Sequence, residues 1–348
     1  MIHFHTLKVK SVEKSTPSSV VITFDIPEEL KDTFKFIPGQ HITLKKELNS
    51  QELRRSYSIC SSKETDALSI GIKAIENGTF SNYAQSIKPG DSFEVYPPEG
   101  HFTYETSQLK DQNIAAFAAG SGITPIMSIM KDVLQNTTAK FLLVYGNKTI
   151  TETMFHKQIT DLLEHYPDRL FVQFIYSQKE EDNALFGRIE KSSINFMLRN
   201  KFHDVTFGAF YLCGPEEMTQ SVKNVLLENE IPQEIIKTEL FTTSDDDDSV
   251  AESVEGQTHV TVLVDDEESS FVMDRKKRVL DAVLEEDIDA PYSCQGGICS
   301  SCVARLKEGK VKMVKNQILT DSEIEEGLIL TCQAHPITPS ISIDYDDV

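Results

Sequence analysis

No run of apolar residues in this chain approaches the ~20 needed to cross a bilayer as a helix. The opening stretch, Met1-Ile2-His3-Phe4-His5-Thr6-Leu7-Lys8, has neither the apolar core of a secretory leader nor a lipidation motif. The expectation is a cytoplasmic protein without direct membrane insertion, whose cysteines stay reduced. Basic residues are scarce as well: 34 Lys and Arg stand against 55 Asp and Glu, a formal net charge of −21. That balance speaks against nucleic-acid binding, which needs a cationic face for phosphate. No internal repeats appear. Cysteines number only six, so their placement carries information.

Four of the six lie in one pattern, Cys294-Gln-Gly-Gly-Ile-Cys299-Ser-Ser-Cys302 with Cys332 further on. This is the C-x4-C-x2-C spacing with one distant cysteine that holds a [2Fe–2S] cluster in plant-type ferredoxins. Three thiolates reach one small cluster only if the backbone wraps around it. Gly296 and Gly297 permit the positive φ values and close approaches this needs, and leave N–H groups free to face sulfur. A disulfide framework does not fit a chain without a secretory leader, and zinc would call for paired C-x2-C units that are missing.

Around that loop, residues 259–348 read as one small β-rich domain. His259 to Asp265 and Ser269 to Asp274 have strand character, and Arg278 to Asp287 has helical spacing with Val279, Ala282 and Val283 on one face. A strand over Val303 to Lys307 and a turn at Gly309 follow, then a Thr320-x-x-Glu323 capping box, and Leu328-Ile-Leu-Thr-Cys332 carries the fourth cysteine. The segment resembles the plant-type ferredoxin family throughout, including Pro291-Tyr-Ser-Cys294 and Leu330-Thr-Cys332-Gln-Ala. The resemblance implies a β-grasp fold and a one-electron carrier with a potential on the order of −400 mV.

Upstream, residues 244–258 hold six acids, no bases and almost nothing apolar, the composition of a flexible acidic linker. The Asp245 to Asp248 run lacks the spaced oxygens and turn glycine of a Ca²⁺ loop. Residues 106–243 alternate strand-length apolar runs (Asn113 to Ala119, Phe141 to Tyr145, Leu170 to Ser177, Ala209 to Cys213, Ile235 to Phe241) with helical stretches such as Thr151 to Tyr166 and Pro215 to Glu230. This predicts a doubly wound α/β domain with a parallel sheet. Its first strand ends in Gly120-Ser121-Gly122-Ile123-Thr124-Pro125. Gly120 and Gly122 would let backbone approach a pyrophosphate, Thr124 could cap the next helix, and Pro125 suits a first turn. A second strand-to-helix turn lies at Cys213-Gly214-Pro215. With both turns the segment resembles the nicotinamide domain of the ferredoxin–NADP reductase family. The resemblance implies Cys213 beside the nicotinamide ring and Gly214-Pro215 against the ribose and phosphates.

Residues 1–105 carry short β-rich runs, Val20 to Ile26, His41 to Lys45, Glu52 to Ile59, Leu68 to Lys73 and Phe93 to Tyr96, which predict a small antiparallel β-barrel. Within it Arg55-Ser56-Tyr57-Ser58 matches the R-x-Y-S motif of the same reductase family. By that resemblance this is the FAD domain: Arg55 binds the pyrophosphate, Tyr57 packs on the isoalloxazine and Ser58 reaches the N5 region. Gly78-Thr79-Phe80-Ser81 would face the FAD phosphates from a helix start. His41 and His101 have no partner cluster and read as structural or exposed rather than as metal ligands.

Glu239-Leu240-Phe241 closes the nucleotide domain. In relatives with a trailing ferredoxin domain an aromatic here covers the flavin, so Phe241 would move aside for hydride transfer, with Glu239 nearby as a polar or proton-handling group. The order of domains, FAD barrel 1–105, NAD(P)-binding 106–243, linker 244–258 and ferredoxin 259–348, resembles the reductases that feed oxygenases and desaturases, the phenylacetyl-CoA epoxidase reductases among them. The resemblance implies an enzyme that passes hydride from NAD(P)H to FAD and single electrons through the cluster to a partner. A general reductase for a diffusible acceptor and a redox-sensing or docking protein are the alternatives.

Ser177, Lys179 and Arg188 could surround an adenosine 2′-phosphate, and the second strand ends without a carboxylate, so NADPH is expected over NADH. Gln178 departs from the arginine that NADPH-using relatives commonly place there. Residues 259–348 hold nine bases and eighteen acids. Acidity on the electron-donating module suits an acceptor with a basic docking surface, and equally suits solubility alone.

Overall fold

The first six strands, built from short apolar runs, form an antiparallel barrel. The computed structural model describes residues 3–48, 51–65, 67–109, 111–241, 249–292, 295–297, 300–316 and 318–348. Strands β1 (His5–Thr16), β2 (Ser19–Asp25), β3 (His41–Leu48), β4 (Gln51–Ser58), β5 (Leu68–Lys73) and β6 (Ser92–Glu99) pair in the order β4-β3-β6-β1-β2-β5, with helix α1 (Thr79–Tyr83) between β5 and β6. An Ile59–Ile70 bridge and the Cys60 N–H donating to the Ser69 carbonyl at 2.8 Å join the two edges and close the barrel. Leu7, Ile22, Ile42, Leu44, Ile70 and Phe93 fill it, each stabilising the fold by about 1.5–3 kcal/mol through burial. The sequence expectations did not include β1. Its pairing with β2 slips between Val9 and Ser11 and again between Lys14 and Thr16, which breaks the alternation that would mark it as a strand.

The next segment adds α2 (Thr106–Leu109), β7 (Asn113–Ala119), α3 (Ile123–Asn136), β8 (Phe141–Asn147), α4 (His156–His165), β9 (Leu170–Tyr176), β10 (Leu185–Phe186), α5 (Lys191–Asn195), β11 (Phe207–Gly214), α6 (Glu216–Glu228) and β12 (Ile236–Leu240). The strands form one parallel sheet ordered β10-β9-β8-β7-β11-β12. Along β7, Ile114, Ala116 and Ala118 join a core with α3 and α4, whereas Ala115 and Phe117 join a second core with α6. Both faces are covered, so the strand reads as continuously apolar. Helix α4 starts later than the expected Thr151, because Phe155 sits at φ +59 and ends a separate turn before it.

Barrel and nucleotide sheet belong to one compact unit, Ile2–Thr242. Segment 60–63 is locked onto α3: Lys131 Nζ donates to the Cys60 carbonyl at 2.9 Å, Ser128 Oγ to the Ser61 carbonyl at 2.8 Å, and Lys63 pairs with the fully buried Asp132 at 2.9 Å. These contacts fix the gap in which the two halves of the site meet.

The second unit, Thr243–Val348, contains α7 (Ser249–Ser253), β13 (Gln257–Val264), β14 (Glu267–Asp274), α8 (Val279–Glu285), β15 (Val303–Glu308), β16 (Val311–Met313), α9 (Asp321–Glu325), β17 (Leu328–Leu330), β18 (Ala334–Pro336) and β19 (Ser340–Asp344). Five strands form a mixed sheet ordered β14-β13-β19-β15-β17, and β16 pairs with β18. This is the expected β-grasp: Val279, Leu280, Ala282 and Val283 of α8 pack into the same core as the sheet residues Val260, Val262, Ile341 and Ile343. The Thr320 box forms as read, with Glu323 N–H donating to Thr320 Oγ1 at 3.3 Å and Thr320 N–H to Glu323 Oε2 at 2.7 Å.

Within the 244–258 stretch expected as flexible linker, Ser249–Ser253 is helical and β13 already opens at Gln257. Val250 and Val254, spaced one helical turn apart, are both buried and anchor this stretch. The Asp245 to Asp248 run lies outside the described residues.

Candidate functional site

At the barrel end of the first unit, Arg55, Ser56, Tyr57 and Ser58 finish β4 opposite Leu44, Thr43, Ile42 and His41 of β3. The Tyr57 ring lies 5.7 Å from the Phe80 ring of α1 at 39°. Burial pushes the Tyr57 hydroxyl well above the usual phenol range, with the Arg55 charge opposing it. Gly78 caps α1, and a Cβ there would stand 2.4 Å from Ser81 Oγ and 2.5 Å from Ile75 Cγ1. A larger residue there would push those two side chains aside. Thr79 lies on the same turn, while Phe80 and Ser81 are buried, so the accessible groups along this end are backbone, the half-buried Tyr57 and the half-buried Arg55. A planar ring, a cation and a turn of tightly packed backbone fit a flavin nucleotide.

The two halves of the unit meet at Ser58. Its Oγ donates to Glu239 Oε2 at 3.3 Å. Glu239 pairs in register with Cys213, and Leu240 with Gly214, across β12 and β11. Burial raises the Glu239 carboxyl to about 7, against the opposing pull of the His41 charge and the Ser58 hydrogen bond. The Cys213 thiol is fully buried and pushed well above its ordinary value, by desolvation first and by the Glu239 charge second. Phe241 is half-buried and packs against the core that contains Cys213.

Sequence reasoning left His41 as either structural or exposed; the structure buries it. Its Nε2 lies 3.4 Å from Glu99 Oε1, its ring fills the space a Cβ at Gly100 would need, and its charge acts on Glu239. The signal available in sequence was its position directly after Gln40, on the strand that pairs with the R-x-Y-S strand. His101 is exposed.

Two residues of the glycine loop also carry packing. Gly122 is required by the sheet: a Cβ there would come within 2.2 Å of the Cys213 carbonyl oxygen. Thr124 does not cap α3; it is buried and its Oγ1 donates to the Ser121 carbonyl at 3.0 Å. Pro125 is buried too, which leaves Gly120, at φ +56 with open space around it, and Ser121 as the accessible part. Gly214 and Pro215 begin the turn into α6 beside them. An open glycine turn at the carboxyl ends of β7 and β11 fits a nucleotide pyrophosphate.

At the outer edge of that sheet Ser177 N–H donates to the Asn147 carbonyl at 3.0 Å, and Arg188 is exposed after the short β10. Lys179 pairs with Glu181 at 2.7 Å, which reduces its value as a phosphate partner.

In the second unit, Cys302 and Cys332 are both buried, and β15 and β17 bring them together. Thr331 donates to the Cys302 carbonyl from its N–H at 3.1 Å and from Oγ1 at 2.9 Å. Gly297 lies at φ +72, where a Cβ would meet Gln333 Cγ at 2.9 Å and the Lys315 carbonyl at 3.1 Å. Two buried thiols beside a loop with no room for a Cβ at Gly297 are donor chemistry of the kind a [2Fe–2S] cluster takes. Cys294 and Cys299 lie outside the described residues.

Three family models match the chain in the same order: an oxidoreductase FAD-binding domain over residues 6–104, an oxidoreductase NAD-binding domain over 117–224 and a 2Fe-2S iron-sulfur cluster binding domain over 262–336. The chain is 37% identical to a component of the 1,2-phenylacetyl-CoA epoxidase of Escherichia coli (strain K12), covering 99% of each sequence. It belongs to the family of three-domain flavin and iron–sulfur reductases. The reductase is also 33% identical to the ferredoxin reductase component of 3-ketosteroid-9-alpha-monooxygenase from Rhodococcus rhodochrous, over 97% of this chain and 96% of that one. Its fold is similar to phthalate dioxygenase reductase, with a TM-score of 0.64 at 19% identity and 98% of both chains covered. The reductase is therefore an oxidoreductase that works with FAD, NAD(P)H and a [2Fe–2S] centre. Among the described residues, no helix is long and apolar enough to cross a membrane.

Proposed function

We propose that the reductase takes hydride from NADPH and delivers single electrons to a dedicated oxygenase. Ser58, Cys213 and Glu239 form the hydride-transfer site, and Cys294, Cys299, Cys302 and Cys332 bind the cluster. The observation that carries this reading is the Ser58–Glu239 contact, which sets a hydroxyl from the barrel against a carboxyl from the nucleotide sheet beside Cys213. FAD accepts two electrons together and releases them singly, and the [2Fe–2S] centre carries them one at a time.

The chain's own residues bind, orient and hold protons. Arg55 supplies a cation for the FAD pyrophosphate, Tyr57 a ring for its isoalloxazine, and the turn at Gly78, Thr79, Phe80 and Ser81 backbone for its phosphates. Gly120, Ser121, Gly122, Gly214 and Pro215 offer backbone to the nicotinamide nucleotide, with Thr124 bonded back to the Ser121 carbonyl and Pro125 in the first turn of the helix that follows. Phe241 covers the nicotinamide approach until it is displaced. A carboxyl raised to about 7 holds or releases a proton near neutral pH, the property expected of Glu239 as a proton-handling group. Ser177 and Arg188 favour NADPH by offering a hydroxyl and a cation to a 2′-phosphate.

The partner assignment draws on two relatives that are components of an epoxidase and a monooxygenase, and on the excess of eighteen acids over nine bases in residues 259–348. Such a field steers association with a basic acceptor surface. Reduced cysteines and a cluster suit the cytoplasm. The test is affinity purification of the full chain from its native host at low and high salt. An oxygenase retained at low salt and lost at high salt is expected; recovery of the reductase alone, with equal turnover on unrelated small acceptors, would favour a diffusible acceptor.

A further inference from the structure

Gln333 follows Cys332 and is 2% exposed, an unusual setting for an amide side chain. Its Nε2 donates to the Gln295 carbonyl at 2.9 Å and to the Cys332 carbonyl at 2.9 Å, and lies 3.9 Å from Cys332 Sγ. The loop segment it grips is held in backbone conformations that L-residues avoid, with Gln295 at φ +54 and Gly297 at φ +72. The Gln333 methylenes pack directly beneath Gly297. The residue is itself fixed from the other side, because its carbonyl accepts from Val314 N–H at 2.9 Å. One buried side chain thus joins the cysteine loop to the strand end that carries the distant cysteine.

We propose that Gln333 is a positioning residue for the [2Fe–2S] centre: it clasps segment 295–297 to Cys332 and sets an amide N–H dipole beside the Cys332 sulfur. The proposal rests on the cluster-ligand reading and deepens it. Reduction adds a negative charge to the centre, so a nearby donor stabilises the reduced state and raises the potential. Outer partners that fix ligand geometry typically change metal affinity by about 10–100-fold when removed.

The test uses the full chain with FAD and cluster bound. Gln333→Met keeps the volume and removes the donor; Gln333→Glu keeps the shape and replaces the donor by an acceptor. The cluster potential is read by anaerobic redox titration with electron paramagnetic resonance. Cluster retention is read as the half-life of its visible absorption in excess chelator, while flavin absorption reports the other unit independently. The expected order of potential is wild type, then Met, then Glu, with cluster loss in both variants faster by about tenfold or more. A Met variant that isolates without cluster but with wild-type flavin content and circular dichroism also supports the clasp. A Met variant matching wild type in potential and within twofold in half-life overturns it. Should both variants misfold, Gly297→Ala pushes on the same methylenes, and an unchanged potential and half-life there overturns the proposal. A wild-type chain without a cluster signal would instead overturn the ligand assignment.

Discussion

Ser58 Oγ donates to Glu239 Oε2 at 3.3 Å, joining a barrel strand to a nucleotide-sheet strand 181 positions away. The contact exists because β4 ends where β12 ends, with α3 locked to segment 60–63 between them. It places a carboxyl in a desolvated seam, and burial outweighs the two interactions that favour its charge.

That balance has a sign. The folded Glu239 carboxyl titrates near 7 against an ordinary 4.5, so between those values the folded state holds a proton that the unfolded state has lost. Stability therefore falls as pH rises through this window, by on the order of 3 kcal/mol. Glu239→Gln removes the penalty. Melting curves at pH 5 and pH 8 should show the variant gaining on wild type at the higher pH; parallel pH dependence of the two proteins would contradict the burial argument.

Ser58 and His41 both hold the Glu239 carboxyl down. Ser58→Ala and His41→Gln are each predicted to move its titration upward. The pH profile of NADPH-dependent flavin reduction, followed by stopped flow, should shift its break to higher pH in both variants. Ser58→Ala should also slow the reduction by about a hundredfold if the hydroxyl assists the transfer. A break that stays in place would separate Glu239 from the observed profile.

Gly120 and Gly122 differ physically, although the sequence presents them alike. A methyl at 122 would press on the Cys213 carbonyl at 2.2 Å, and overpacking of this kind costs about 1–3 kcal/mol or more. At 120 the space is open and only the positive φ opposes a side chain, a cost of about 1–2 kcal/mol. Gly122→Ala is predicted to lower the melting temperature more than Gly120→Ala and to displace Cys213. Equal losses would mean that the close approach relaxes freely.

Arg188 is exposed just after β10, which pairs with the end of β9 that leads into Ser177, and Lys179 is already paired to Glu181. Arg188→Ala should lower kcat/KM for NADPH by about tenfold, the value of one charge-assisted hydrogen bond, and leave NADH nearly unchanged. An unaltered NADPH to NADH ratio would remove Arg188 from the nucleotide site.

Much of this was legible in the sequence where chemistry and spacing coincide. The cysteine pattern, the parallel sheet and the R-x-Y-S strand all follow from local rules, because each requires particular residue types at short range. What escaped depends on contacts between distant segments. His41 acquires its role only when β3 stands beside β4 and β12 arrives from the other domain. The packing demand on Gly122 shows only when β11 is laid against it. Val250 and Val254, two apolar residues in an acidic stretch, are buried around a helical turn that composition reads as linker. The Gln333 clasp is invisible for the same reason: 38 positions separate it from Gln295.

The central claim is a relay from nicotinamide nucleotide through flavin to the iron–sulfur centre within one chain. An anaerobic titration with NADPH, followed by visible absorption with NADH as the parallel trace, tests it most directly. Bleaching of both the flavin and the iron–sulfur bands, faster with NADPH, is the predicted result. Flavin bleaching with the cluster left oxidised would contradict the relay, and no bleaching by either nucleotide would contradict the assignment as a working reductase.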